Sequence, residues 1–197
     1  MKLIFATNNK NKLHEAKKIF EGRYDILSLE DLKFFEEISE DFLTLEENAM
    51  QKARYIYERF KVNCFADDTG LEVEALNGEP GVFSARYAGE NKNSADNIKK
   101  LLKKLDYENN RNAKFRTIIA LIINEKEFLF EGFIKGKIAK TAKGNNGFGY
   151  DPIFIPAGYE KTFAELSDSE KNTISHRALA LEKLFVFLKN DNKNDNK

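Results

Sequence analysis

The chain has 197 residues, with 32 Lys plus Arg balanced by 32 Asp plus Glu and a formal net charge of zero at pH 7. That length predicts one domain with a substantial core. The balanced charge removes any demand for a nucleic-acid duplex or an acidic membrane as partner, but leaves room for a small anion held by a local basic cluster. A single cysteine, Cys64, excludes an internal disulfide framework and a cysteine-rich zinc site. The apolar run in MKLIFATNNK is too short for a signal-peptide core, and no segment approaches the roughly 20 apolar residues of a membrane span, so a cytoplasmic setting is expected.

In chain order, KLIFAT (2–7) is a short continuous apolar run and predicts a buried strand. A helix follows, with Leu13, Ala16, Ile19 and Phe20 on its apolar face. YDILSL (24–29) predicts a second strand, and FFEEISEDFLTLEE (34–47) an acidic loop. Thr44 followed by Glu47 has capping-box spacing and predicts a helix from Leu45 to Phe60. Residues 62–67 and 71–76 predict two strands separated by a turn at Thr69–Gly70. Asn93 to Leu105 predicts a helix with Ile98, Leu101, Leu102 and Leu105 on one face. The β-branched run 115–124 predicts a central strand that forms a hairpin with 127–139 through NEKE. KGNNGFGYD is a glycine-rich loop and PIFIP a short strand. Ser167 with Glu170 is a second capping box, predicting a long helix to Leu188. The tail, 191–197, has nothing to bury and is expected to be disordered, leaving 1–190 as one domain. This order predicts an α/β fold with a long mixed sheet and helices on both faces.

Four groups could carry chemistry. TNNKNK, Thr7 to Lys12, joins a buried strand to a helix N-terminus, where backbone N–H groups and the macrodipole favour anions. Its hydroxyl, amides and lysines suit a polyphosphate, although a polar loop with an Asn N-cap reads the same way. No Walker A loop occurs. Asp67 and Asp68 stand at a strand end, where alternation sends them to opposite faces. One would face a site, able to hold Mg²⁺ or take a proton from water, while the other caps the turn or meets a basic partner. Upstream acids at Glu36, Glu37, Glu40 and Asp41 could add a metal ligand or form a solvated charge run. In GNNGFGYDP the glycines precede a strand rather than a helix, which excludes a dinucleotide fingerprint. Phe148 and Tyr150 offer aromatic faces there and Asp151 an acceptor. Lys171 lies early in the last helix, and His176–Arg177 form a donor-rich pair able to read base carbonyls.

Taken together, FATNNKNKLHE, TLEENAMQKA, ADDTGLEVEALNGEPGVFSARYAG, GFGYDPIFIP and AELSDSEKNTISHRALAL span nearly the whole chain. In that order they closely resemble the inosine triphosphate pyrophosphatase family, the RdgB-type dITP/XTP diphosphatases. The resemblance implies two lobes around a central nucleotide-binding cleft, a homodimer, and Mg²⁺-dependent hydrolysis of ITP, dITP and XTP to the monophosphate and pyrophosphate. By position it implies that Thr7, Asn8, Asn9, Lys10, Asn11 and Lys12 bind phosphate. Asp68 would be the metal ligand and proton acceptor, and Thr69 a substrate contact. Phe148, Gly149, Tyr150, Asp151, Lys171, His176 and Arg177 would bind the nucleotide. Glu40 is the expected second metal carboxylate, with Glu37 its rival. Asn8 stands where the family commonly has glycine, and Thr69 where serine is frequent. A phosphohydrolase acting on standard or pyrimidine triphosphates, and a non-catalytic nucleotide-binding module, are the competing readings. Acids beside a triphosphate disfavour the second unless a metal intervenes.

Overall fold

A computed structural model describes residues 2–194. The chain divides into two compact units, one built from Met1–Asp68, Thr117–Gly132 and Arg177–Lys197, the other from Thr69–Arg116 and Phe133–His176. Among the described residues, seven strands hydrogen-bond in one sheet. They are β1 (Lys2–Phe5), β2 (Asp25–Leu27), β3 (Cys64–Val73), β4 (Pro80–Gly81), β5 (Asn112–Ile123), β6 (Lys126–Ile138) and β7 (Phe154–Pro156). Their order is β2-β1-β3-β5-β6-β7, with β4 beside β3. β1 is parallel to β2 and β3, whereas β4 on β3 and β7 on β6 are antiparallel, so the sheet is mixed as expected. Among the described residues five α-helices accompany it: α1 (Lys10–Phe20), α2 (Leu45–Phe60), α3 (Ser94–Lys104), α4 (Asp168–Ile174) and α5 (His176–Asn194). No helix among the described residues is long and apolar enough to cross a membrane.

In the first unit the pleat sorts side chains to two helical layers. Leu3, Phe5 and Phe65 join Ala16 and Phe20 of α1 and Ala180, Leu181, Leu184 and Leu188 of α5 in one core. Phe5 and Phe65 stack at 4.4 Å, a contact worth about 0.5–1.5 kcal/mol beyond its buried area. Ile4, Cys64 and Ala66 alternate with these residues and take the opposite face. There the Cys64 thiol donates to the Ala53 carbonyl of α2 at 3.3 Å. The second unit has its own core around Leu71, Leu101, Leu105, Phe115, Tyr150, Phe154 and Phe163.

Several boundaries differ from those the sequence predicts. β3 runs unbroken through Asp67–Gly70 and ends in a 3-10 turn at Glu74–Leu76. Thr69–Gly70 does not turn because Gly70 lies against β4, where a Cβ would stand 2.7 Å from the Gly81 carbonyl oxygen. The long last helix is two helices, α4 and α5, separated by Ser175 with φ −67° and ψ 152°. Ser175 is buried, so tertiary packing rather than a local breaker sets this bend. The β5–β6 hairpin turns at Asn124–Glu125, both at positive φ, as a tight two-residue hairpin requires. α5 extends to Asn194, into the segment expected to be disordered. Extending a formed helix adds one hydrogen bond per residue fixed. The rest of that segment, 195–197, lies outside the described residues.

Candidate active site

Each first-unit group sits on a predictable element. Asn9 caps α1, its side-chain oxygen accepting from the N–H groups of Asn11 and Lys12 at 3.0 and 3.2 Å. The Thr7 hydroxyl accepts from the Asn9 N–H at 3.2 Å. Lys10 and Asn11 are exposed, whereas Lys12 turns inward. Asn8 shows no left-handed backbone; in the place where the family commonly has glycine, its amide donates to the Glu36 carbonyl at 2.9 Å.

Along β3 the two aspartates part, as alternation demands. Asp67, on the face of Phe65, is 2 % exposed. It accepts from Lys12 Nζ of α1 at 3.0 Å and from Arg177 Nε of α5 at 3.1 Å. Arg177, itself buried, also pairs with Glu15 of α1. Two cations and two carboxylates thus form a buried chain. Burial alone would raise the Asp67 carboxyl, but Lys12 and Arg177 outweigh it and hold the group well below the usual carboxylate range. Burial lowers Lys12 despite Asp67. Burial would also lower Arg177, yet Glu15 and Asp67 raise it above its ordinary value. Of the two roles open to Asp67, the basic partner is the one found.

Asp68, on the face of Cys64, meets α2. Its Oδ1 lies 3.5 Å from Lys52 Nζ and its Oδ2 accepts from Asn48 Nδ2 at 3.3 Å. Lys52 also donates to Glu40 of the acidic loop. Burial pushes the Asp68 carboxyl up, Lys52 opposes that, and Glu40 adds to it; the net shift is upward. Burial would lower Lys52, but Asp68 and Glu40 reverse the direction. Glu40 is therefore a loop acid brought to the same ammonium as Asp68. Glu36 bonds instead to Arg59 and Tyr55.

The second unit holds the glycine-rich loop. Asp151 Oδ2 accepts from the Phe148 N–H at 2.8 Å and from Lys171 Nζ at 2.7 Å. Lys171 Nζ stands 4.8 Å from the centroid of the half-buried Phe148 ring. Gly147, at φ +73°, is fixed by this turn, since a Cβ would reach 2.1 Å from the Asp151 carboxylate. Gly149 follows at φ +62°. Tyr150 differs from its expected role as an open aromatic face: it is 4 % exposed and its hydroxyl donates to the Ser84 carbonyl at 3.0 Å. Thr69 is half-buried on β3. His176 opens α5 with its ring stacked on Phe115 at 4.5 Å, so it and Arg177 point into different surroundings.

Three participants lie in the blocks that carry the resemblance but have no role assigned from the sequence: Lys52, Asn48 and Glu15. The signal was available. Leu45, Asn48, Ala49, Lys52, Ala53 and Ile56 are the buried residues of α2, a helical stripe on which an amide and an ammonium are out of place. Glu15 breaks the buried face of α1 in the same way.

Among the described residues no group of three or more His, Cys, Asp or Glu side chains is arranged to hold a metal. Magnesium fits the residues present on other grounds. It takes one or two carboxylates and completes its shell with water and substrate phosphates. Asp68 and Glu40 already converge on a cation, the Lys52 ammonium.

Comparison with known proteins identifies the family. Residues 3–187 match the model of the Ham1 family. A dITP/XTP pyrophosphatase of Flavobacterium johnsoniae is 54 % identical over 188 residues, covering 95 % of this chain and 98 % of the relative. One from Porphyromonas gingivalis is 52 % identical, covering 95 % and 97 %. The structure of the Staphylococcus aureus Ham1 protein superimposes with a TM-score of 0.88 at 41 % identity, covering 97 % of this chain and all of that one. With the family matched over nearly its whole length, the chain belongs to the Ham1 family.

Proposed function

We propose that this chain hydrolyses the non-standard purine nucleoside triphosphates ITP, dITP and XTP to the monophosphate and pyrophosphate, removing them from the nucleotide pool. The observation that carries the reading is Asp68. It is a buried carboxylate inside β3, with a raised affinity for protons, sharing a lysine with Glu40 in a chain of this family. Relatives named dITP/XTP pyrophosphatases, about half identical over almost the full chain, support it.

In this reading Asp68 and Glu40 hold Mg²⁺. When bound, the metal supplies charge neutralisation for the triphosphate and the departing pyrophosphate. Asp68 orients a water and accepts its proton as the water oxygen attacks the α-phosphorus and the bond to the bridging oxygen breaks. Lys52 holds both acids in place and adds positive charge beside the leaving group. Thr7, Asn8, Asn9, Lys10, Asn11 and Lys12 bind the phosphates at the N-terminus of α1. Thr69 contacts the substrate. Phe148, Gly149, Tyr150, Asp151, Lys171, His176 and Arg177 serve the nucleoside. Within that group Asp151 and Tyr150 act by fixing the loop, and Arg177 by holding Asp67. Donors set against the purine 6-carbonyl disfavour ATP, whose amino group leaves a donor unpaired at a cost of about 1–3 kcal/mol.

The test incubates the protein with Mg²⁺ and ITP, dITP, XTP, GTP or ATP, and identifies the products. Pyrophosphate released faster from the first three supports the reading. Orthophosphate, or equal rates on ATP, overturns it. The homodimer implied by the resemblance is checked on the same preparation by light scattering.

A further inference from the structure

Asn48 is fully buried on the apolar stripe of α2, four residues before Lys52. A polar amide there is costly unless each group is paired. Its oxygen accepts from the Phe42 N–H at 2.9 Å, and its Nδ2 donates to the Phe42 carbonyl at 3.2 Å and to Asp68 Oδ2 at 3.3 Å. Closing two hydrogen bonds on one residue's backbone fixes both the position and the orientation of that residue. Phe42 lies two residues from Glu40. Further contacts hold the same segment: Asn8 to the Glu36 carbonyl, and Gln51 to the Ser39 hydroxyl and the Asp41 N–H. Of these amides, Asn48 is the one that reaches both the acidic segment and Asp68.

We propose that Asn48 is a positioning residue for metal-dependent turnover. One amide sets the segment that presents Glu40 and, by occupying Asp68 Oδ2, leaves Asp68 Oδ1 turned toward the position shared with Lys52 and Glu40. The proposal rests on the reading of Asp68 and Glu40 as the metal-holding pair. A carboxylate with one oxygen hydrogen-bonded loses free rotation about Cβ–Cγ, so its second oxygen is offered in one direction. Partners of this kind behind metal-binding groups commonly govern about 10–100-fold in metal affinity or activity.

The experiment compares wild type, Asn48→Asp and Asn48→Ala. Asn48→Asp keeps the shape and the acceptor for Phe42 but loses both donated bonds. Asn48→Ala adds no buried charge and carries the test where the aspartate variant does not fold. Mn²⁺ binding is titrated by electron paramagnetic resonance in the presence of the α,β-methylene analogue of ITP. Pyrophosphate release is measured per folded molecule, with folding checked by circular dichroism. The expected result is Mn²⁺ affinity weakened by about tenfold or more, with kcat reduced to a similar degree. KM for ITP at saturating metal should stay within about threefold of wild type. Unchanged Mn²⁺ affinity and kcat, with only the melting temperature lowered, would mean that Asn48 is structural alone and would overturn the proposal. A wild-type protein that releases no pyrophosphate removes the underlying reading, and this proposal with it.

Discussion

Adjacent residues of one strand have opposite fates here. Asp67 faces α1 and α5, where Lys12, Arg177 and Glu15 complete a chain of alternating charges. Asp68 faces α2, where one lysine serves it and Glu40 together. The first carboxyl is held below its ordinary range and the second is pushed above it. Both are buried, so burial alone does not separate them; the number and sign of the neighbouring charges does. A balanced cluster holds helices to a sheet. A cluster with more carboxylate than ammonium favours an added cation, which the Asp67 cluster has no electrostatic reason to accept.

The largest expected effect that would break this contrast comes from Asp67→Asn. Removing one member of a buried ion network leaves charge uncompensated and costs about 3–5 kcal/mol, measurable by urea unfolding near pH 7. The sign with pH is fixed by the lowered carboxyl. Its contribution is present above the unfolded value of about 4 and is lost as pH falls toward its folded value. The gap between wild type and variant should therefore narrow on acidification. A gap that is constant with pH would mean the ion pairs contribute nothing.

A smaller effect sharpens the Asp68 side. Glu40→Gln should raise the Mg²⁺ concentration needed for half-maximal activity about tenfold, and Glu37→Gln by less than about twofold. Equal effects would return the two acids to rivalry. Smallest is the behaviour of Cys64 on the Asp68 face. Burial pushes its thiol up to about 12, so at pH 8 it is neutral and should resist alkylation until the protein is denatured, as intact-mass spectrometry would show. Rapid native labelling would mean that α2 does not cover this face of β3.

Much of this was legible in the sequence. Strand alternation separated Asp67 from Asp68, and the Thr44 and Ser167 caps placed the starts of α2 and α4. Glu40, singled out in the acidic loop, shares the Lys52 ammonium with Asp68. What escaped depends on contacts distant in sequence. Thr69–Gly70 has turn chemistry, yet it is held in a strand by β4. Ser175 interrupts a helical pattern that contains neither Gly nor Pro. Tyr150 reads as an open ring until the Ser84 carbonyl claims its hydroxyl. Lys52 and Asn48 lie in TLEENAMQKA, and as polar residues on an apolar stripe they mark a partner without naming it.

The most direct test of the division between the two aspartates is Asp68→Asn, assayed for ITP turnover, nucleotide binding and urea stability on one preparation. Because burial penalises the charged form of Asp68, the neutral amide should fold at least as stably as wild type. It should bind nucleotide within a few-fold, and it should lose about 10²–10⁴-fold in turnover. Wild-type-like turnover, or a loss of stability as large as that of Asp67→Asn, would contradict the account.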